Sequence, residues 1–99
     1  MDEVVLTFHC AVTDVEAVIQ CLRAETDAPL HVRNETVHGR DFSDAMVSEQ
    51  VTGTLHRAAV EVLVARTRVD ALVAIVAAAR RAHPVRWRAT PVIARGRLS

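Results

Sequence analysis

The side chains of this sequence best equipped for chemistry are five histidines, two cysteines and twelve arginines; there is no lysine. A metal site needs several imidazole, thiolate or carboxylate donors converging from fixed spacings such as C-x2-C or H-x3-H. Neither spacing occurs. His9 and Cys10 are adjacent, so on a strand they point to opposite faces and cannot easily chelate one ion. His38 and His56 flank a long central segment and could approach one another across a hairpin. His9 could meet its own copies around the axis of an oligomer. These three are the candidate ligands for a divalent metal, with ordinary surface imidazoles as the alternative. Signatures of catalysis are missing: there is no G-x-S-x-G, no H-E-x-x-H and no Walker phosphate loop. The expectation is a protein that is not an enzyme.

The arginines are unevenly placed. Residues 1–56 hold ten acids and three arginines, and residues 57–99 hold two acids and nine arginines, for a net charge of zero. Arginine forks bind carboxylate or phosphate through two parallel hydrogen bonds, where lysine acts as a point charge. A codon bias towards arginine explains the composition equally well. The asymmetry also suits pairing of one half with the other, within or between subunits.

Ninety-nine residues, 51% of them apolar, make one domain with a sizeable core. The longest apolar run, Ala71 to Ala79, is nine residues, against roughly 20 for a membrane span. The opening Met1-Asp2-Glu3 does not resemble a signal peptide. Two cysteines without a C-x2-C read as reduced thiols, so a cytoplasmic location is expected.

What must position these groups is a duplicated unit. "TDVEAVIQCLRAE" from Thr13 and "TRVDALVAIVAAARRA" from Thr67 share helical apolar spacing, with Val15, Val18, Ile19 and Leu22 matched by Val69, Leu72, Val73 and Val76. Each opens with Thr followed three residues later by an acid, Glu16 or Asp70, as in a capping box. An apolar strand precedes each helix, "VVLTFHC" from Val4 and "AVEVLVA" from Ala59, and a strand follows each, from Leu30 and from Val85. The period is about 54 residues. Two copies of strand–helix–strand predict an α+β fold, a ferredoxin-like βαββαβ sandwich. Its four-stranded antiparallel sheet carries both helices on one face.

Alternation along the strands assigns the faces. Val4, Leu6, Phe8, Cys10, Leu30, Val32, Val60, Val62, Val64, Val85, Trp87 and Ala89 are expected under the helices. Thr7, His9, His31, Arg33, Glu35, Glu61, Leu63, Arg86 and Arg88 are expected on the open face, too polar for a second core. Such a face, with an alanine-rich second helix, points to a homo-oligomer. RNA-binding domains of the same topology stack bases on strand aromatics. Here those positions are Thr7, His9, Glu61 and Leu63, so no nucleic acid partner is expected.

The second and third strands are joined by a segment from about His38 to His56, "HGRDFSDAMVSEQVTGTLH", far longer than a hairpin needs. It reads either as an extended hairpin or as a recognition loop with Glu49 and Gln50 as polar contacts. Its core, "VSEQVTG", together with the duplicated half-unit, resembles the nitrogen regulatory P-II superfamily. The likeness is to a small uncharacterised branch of unknown function whose loop reads Ser-Val-x-Glu-Gln-Val-x-Gly-Arg. Val47, Glu49, Gln50, Val51 and Gly53 match, whereas Met46 replaces the Ser and Thr54 the Arg. "PVIARGRL" from Pro91 to Leu98 is similar to that branch's close.

The resemblance implies a P-II-like, ferredoxin-like domain over residues 1–99 that assembles as a homotrimer. It implies a signalling protein that binds a small effector at subunit clefts and docks through its loop on a partner, such as a membrane transporter. Glu49, Gln50, Thr52 and Gly53 are then the loop contacts. Arg95, Arg97 and Arg57 are the effector or anion contacts, and Arg57 also anchors the loop base. An adenine nucleotide is the effector of the superfamily, but the glycine-rich phosphate loop is absent from "RRAHPVRW". The branch's association with heavy-metal efflux supports the alternative, a metal-responsive binding protein using His38, His56 or His9. A second alternative is a small ferredoxin-like enzyme with Thr, His and Glu on the open face.

Overall fold

The computed structural model describes residues 2–39 and 54–99. Strand β1 (Glu3–Ala11) leads through a 3-10 turn (Val12–Asp14) into helix α1 (Val15–Arg23), and β2 (Leu30–His38) follows. The second half repeats the plan: β3 (Thr54–Ala65), a 3-10 turn (Arg66–Arg68), α2 (Val69–Ala78) and β4 (Arg86–Pro91). The strands form one antiparallel sheet in the order β2-β3-β1-β4, the expected ferredoxin-like arrangement.

The register places Leu6 opposite Val62, Phe8 opposite Val60 and Cys10 opposite Ala58. These side chains join Val18 and Leu22 of α1 and Leu72 and Val76 of α2 in a single core. Each fully buried Val, Leu or Phe contributes roughly 1.5–3 kcal/mol. Both helices therefore lie on the even-numbered face of β1 and β3.

Three details differ from the sequence reading. First, Thr13 and Thr67 cap nothing. Each lies inside a 3-10 turn, exposed, and neither helix start has a side-chain cap. Asp14 is buried instead, and its carboxylate accepts from the backbone N–H of Ala82 and of His83, both at 2.9 Å. Second, the edge strands stand partly outside the core. Val32 is 46% and Trp87 47% exposed, because an edge strand has a neighbour on one side only and solvent reaches its flank. Third, β3 begins at Thr54, so Thr54 to His56 pair with Thr36 to His38 rather than belonging to the connection.

The far ends of the helices behave as their residues suggest. Arg81 donates through Nη1 to the carbonyl of His83 at 2.8 Å and through Nε to that of Val76 at 3.4 Å, closing the C-terminal end of α2. After α1, Thr26 Oγ1 accepts from the N–H of Ala28 at 3.1 Å, which turns the chain into β2. Among the described residues no helix is long and apolar enough to cross a membrane.

Candidate functional site

The open face is set by the odd-numbered residues of β1 and β3. Across the sheet the register lines up His31, Glu61, Thr7 and Arg88, and in the next row Arg33, Ala59, His9 and Arg86. Thr7 donates from Oγ1 to Glu61 Oε2 at 3.1 Å, and Arg33 Nη1 donates to Glu61 Oε1. The Arg33 hydrogen bond, with help from Thr7, holds the Glu61 carboxyl below its ordinary value despite partial burial. His9 Nδ1 meets Glu35 Oε1 although β3 runs between their strands. Ala59, fully buried between them, is small enough to let the two side chains close over it.

This face is not simply wet. Thr7, Leu55, Arg57 and Ala59 are all buried there although both helices pack on the other side. Arg57, 4% exposed, donates through Nη1 to the carbonyl of His56 at 2.9 Å. It pairs in register with Glu35 on one side and Ala11 on the other. An arginine taken out of water at the end of β3 is a fixed positive charge at the root of the connection.

The arginines of the C-terminal arm lie elsewhere. Arg95 grips the Glu3 carboxylate with Nε at 2.7 Å and Nη2 at 3.0 Å, a bidentate fork. The pairing raises the Arg95 pKa and lowers that of Glu3, in each case mainly through this hydrogen bond. Arg97 is exposed. Glu3 pairs with Ala65 and Ala11 with Arg57, so Arg57 and the anchor of Arg95 occupy opposite ends of the β1–β3 pair. At the rise of a strand that is about 27 Å. One chain does not bring its candidate anion contacts together.

His38 and His56 do come together. His38 pairs with Thr54 and Thr36 with His56, so the two imidazoles are diagonal neighbours on one face of the β2–β3 ladder, roughly 7–8 Å apart in backbone terms. Both are exposed. His9 lies on the opposite face with Glu35. Among the described residues no three His, Cys, Asp or Glu side chains are grouped to hold a metal ion. Glu49, Gln50, Thr52 and Gly53 lie outside the described residues, as does the rest of the "VSEQVTG" motif. Sequence reasoning missed Asp14 and Glu3. The repeat aligns Asp14 with Arg68 of the second half, of opposite charge, and so gives no signal for either. No local signal links Glu3 to an arginine 92 residues away.

A family described as "Protein of unknown function (DUF3240)" matches residues 1–99. The chain belongs to the DUF3240 family. Its fold is similar to that of a DUF3240 family protein from Shewanella baltica OS155, with a TM-score of 0.78 and 16% identity over 98% of this chain and 97% of that one. A Bacillus cereus protein related to NIF3 matches with a TM-score of 0.70 and 11% identity, over 96% of this DUF3240 chain but 27% of that larger one. A functionally unknown protein from Pediococcus pentosaceus ATCC 25745 matches with a TM-score of 0.60 and 9% identity, over 98% and 97% of the two chains. At such identities the likeness concerns the fold. No curated protein matches this DUF3240 chain.

Proposed function

We propose that this protein is a non-enzymatic, P-II-like regulator that assembles as a homotrimer. It binds a small anionic effector between subunits and docks on a partner, such as a membrane transporter, through the segment between β2 and β3. The separation of Arg57 from Arg95 supports this reading best. Two cationic contacts about 27 Å apart in one chain can serve one anion only across a boundary between copies. The connection from α2 to β4 contains no glycine, so the work of holding an anion falls on arginine forks rather than on a backbone cradle. Two free thiols, Cys10 and Cys21, suit a reducing cytoplasm.

Native mass spectrometry combined with a thermal-shift screen of ATP, ADP, AMP and phosphate tests the proposal. The expected result is a trimer with a melting temperature raised by at least one of these anions. Arg57→Ala and Arg95→Ala chains are each expected to lose the shift, and co-expressed mixed assemblies to recover part of it. A monomer, or an anion shift unaffected by either substitution, overturns the reading.

A second reading rests on the diagonal His38–His56 pair. Two imidazoles supply half of a four-coordinate site, and a second copy or water would complete it. In this reading the protein is a metal-responsive binder, and zinc or copper raises the melting temperature of the parent but not of a His38→Ala/His56→Ala chain. Equal shifts in both chains would remove it.

A further inference from the structure

Glu35 and Glu61, the acids in the middle of the open face, are both committed on its β2–β3 side. Glu61 takes the guanidinium of Arg33 and the hydroxyl of Thr7, and Glu35 takes Nδ1 of His9. The β1–β4 side has no such compensation. Val5 to Ala11 of β1 and Arg86 to Pro91 of β4 contain no acid. Yet Arg86 and Arg88 both stand on that side, exposed, two residues apart along β4, about 7 Å at strand rise. Positive charge thus collects at one corner of a face whose other corner is balanced.

Two groups at this corner are open to a ligand. Among the described residues Arg88 makes no hydrogen bond or ion pair, although its guanidinium carries five donors. His9 uses only Nδ1, held by Glu35, which leaves Nε2, the ring nitrogen that projects farthest from its own strand. Arg86 lies directly across from His9, and Arg88 lies across from Thr7 and so diagonal to His9. Such neighbours have Cβ atoms about 5 Å apart when directly opposite and about 7–8 Å apart on the diagonal, within reach of a long side chain. Like charges this close repel one another, and an anion between them removes that cost.

We propose that this corner binds a tetrahedral dianionic oxyanion, either free phosphate or a phosphoryl group. The Arg88 fork takes two of its oxygens and Nε2–H of a protonated His9 takes a third, with Arg86 alongside. A carboxylate has only two oxygens, both used by an arginine fork, so the third donor selects the tetrahedral ion. Glu35 acts from behind the ring, fixing its orientation and favouring the imidazolium. The other charged or titratable groups facing His9 are Arg33 and His31 from β2 and Arg57 and Glu61 from β3. Arg33 and Glu61 neutralise each other. The site lies within one chain and shares no residue with the Arg57 and Arg95 contacts of the proposed function.

An NMR titration of the full chain with sodium sulfate, at ionic strength held constant with chloride, tests the site. Sulfate stays a dianion between pH 8 and pH 6, so any pH dependence comes from the protein. Saturable shifts of the Arg88 and His9 side-chain resonances are expected, with affinity several-fold higher at pH 6. Arg88→Gln, at an exposed position, is expected to weaken sulfate about tenfold or more, as loss of charge-assisted hydrogen bonds does. His9→Gln is expected to abolish the pH dependence. Titrations with inorganic phosphate and AMP distinguish the sources: similar affinities indicate the free ion, and tighter AMP with the same loss in Arg88→Gln indicates a phosphoryl group. No saturable shift beyond the chloride control overturns the inference, as does a pH dependence that persists in His9→Gln. If Arg95→Ala abolishes sulfate binding and Arg88→Gln leaves it intact, the inference falls and the proposed function stands. A monomer that binds sulfate through Arg88 removes the trimeric reading and leaves the inference in place.

Discussion

Asp14 and Arg68 occupy the same place in the two halves, each ending a 3-10 turn, and each reaches the far end of the other half's helix. Asp14 accepts from the N–H groups of Ala82 and His83 beyond α2, at 2.9 Å each. Arg68 donates to the carbonyl of Glu25 beyond α1, at 3.4 Å. Their charges are opposite because their partners are: N–H groups on one side, a carbonyl on the other. The start of each helix thus lies beside the end of the other, and the two halves are buckled together at both points.

The two buckles differ in strength. Asp14 is buried and makes two good hydrogen bonds, whereas Arg68 is exposed and makes one long one. Asp14→Ala would strand two N–H donors and is expected to cost about 2–3 kcal/mol, with a fall in Tm of roughly 8–20 °C. Arg68→Ala should stay within about 0.5 kcal/mol. Urea unfolding of both variants checks this, and equal losses would refute the asymmetry.

Val60 and Val32 face each other in register on the helix side of the sheet, yet one is fully buried and the other 46% exposed. Truncation to alanine should therefore cost about 1.5–3 kcal/mol at Val60 and less than about 0.5 kcal/mol at Val32. Similar losses at the two positions would mean that the edge strand is covered after all.

Burial pushes the Cys10 thiol up to about 11, and its hydrogen goes to the carbonyl of Ala58 at 3.6 Å. At pH 8 only about one molecule in a thousand carries the reactive thiolate. Cys21, half-buried on α1, is also raised, first by desolvation. Alkylation followed by mass spectrometry should label Cys21 slowly, Cys10 hardly at all in the native protein, and both rapidly in denaturant. Prompt native labelling of Cys10 would contradict the packing of β1 against α1.

Glu61 has a folded pKa below its ordinary value of 4.5 because Arg33 and Thr7 hold the charged form. The stability it contributes is present above about pH 4.5 and is lost as the pH falls through the lower folded value. Arg33 is half exposed, so solvent screening keeps the effect small. Glu61→Gln should flatten the acid limb of the stability curve below pH 4.5 relative to the parent. A carboxyl titration of Glu61 by NMR with a midpoint at or above 4.5 would contradict the pairing.

The strands, helices and faces were legible because each depends on short-range alternation: Leu6, Phe8, Val60 and Val62 share a face by period two, and Val18, Leu22, Leu72 and Val76 by helical spacing. The repeat then fixed which strands could be neighbours. The helix starts depart from their local signal. Thr13–Glu16 has the spacing of a capping box, but Asp14 finds two backbone donors 68 and 69 residues away, and local propensity cannot anticipate a distant partner. Val32 and Trp87 have core-like periodicity, yet their exposure depends on being at a sheet edge.

By itself the sequence determined that the chain folds as two linked half-units, and which side chains face the helices, since both follow from periodicity along the backbone. Only the tertiary structure decided which charges meet: Arg33 with Glu61, His9 with Glu35 across a buried alanine, and Arg95 with Glu3. It also decided that Arg57 and Arg95 stand at opposite ends of one sheet. The physical reason is that an ion pair is a relation of distance in space, and residues far apart in the chain acquire that distance only when the strands have taken their order.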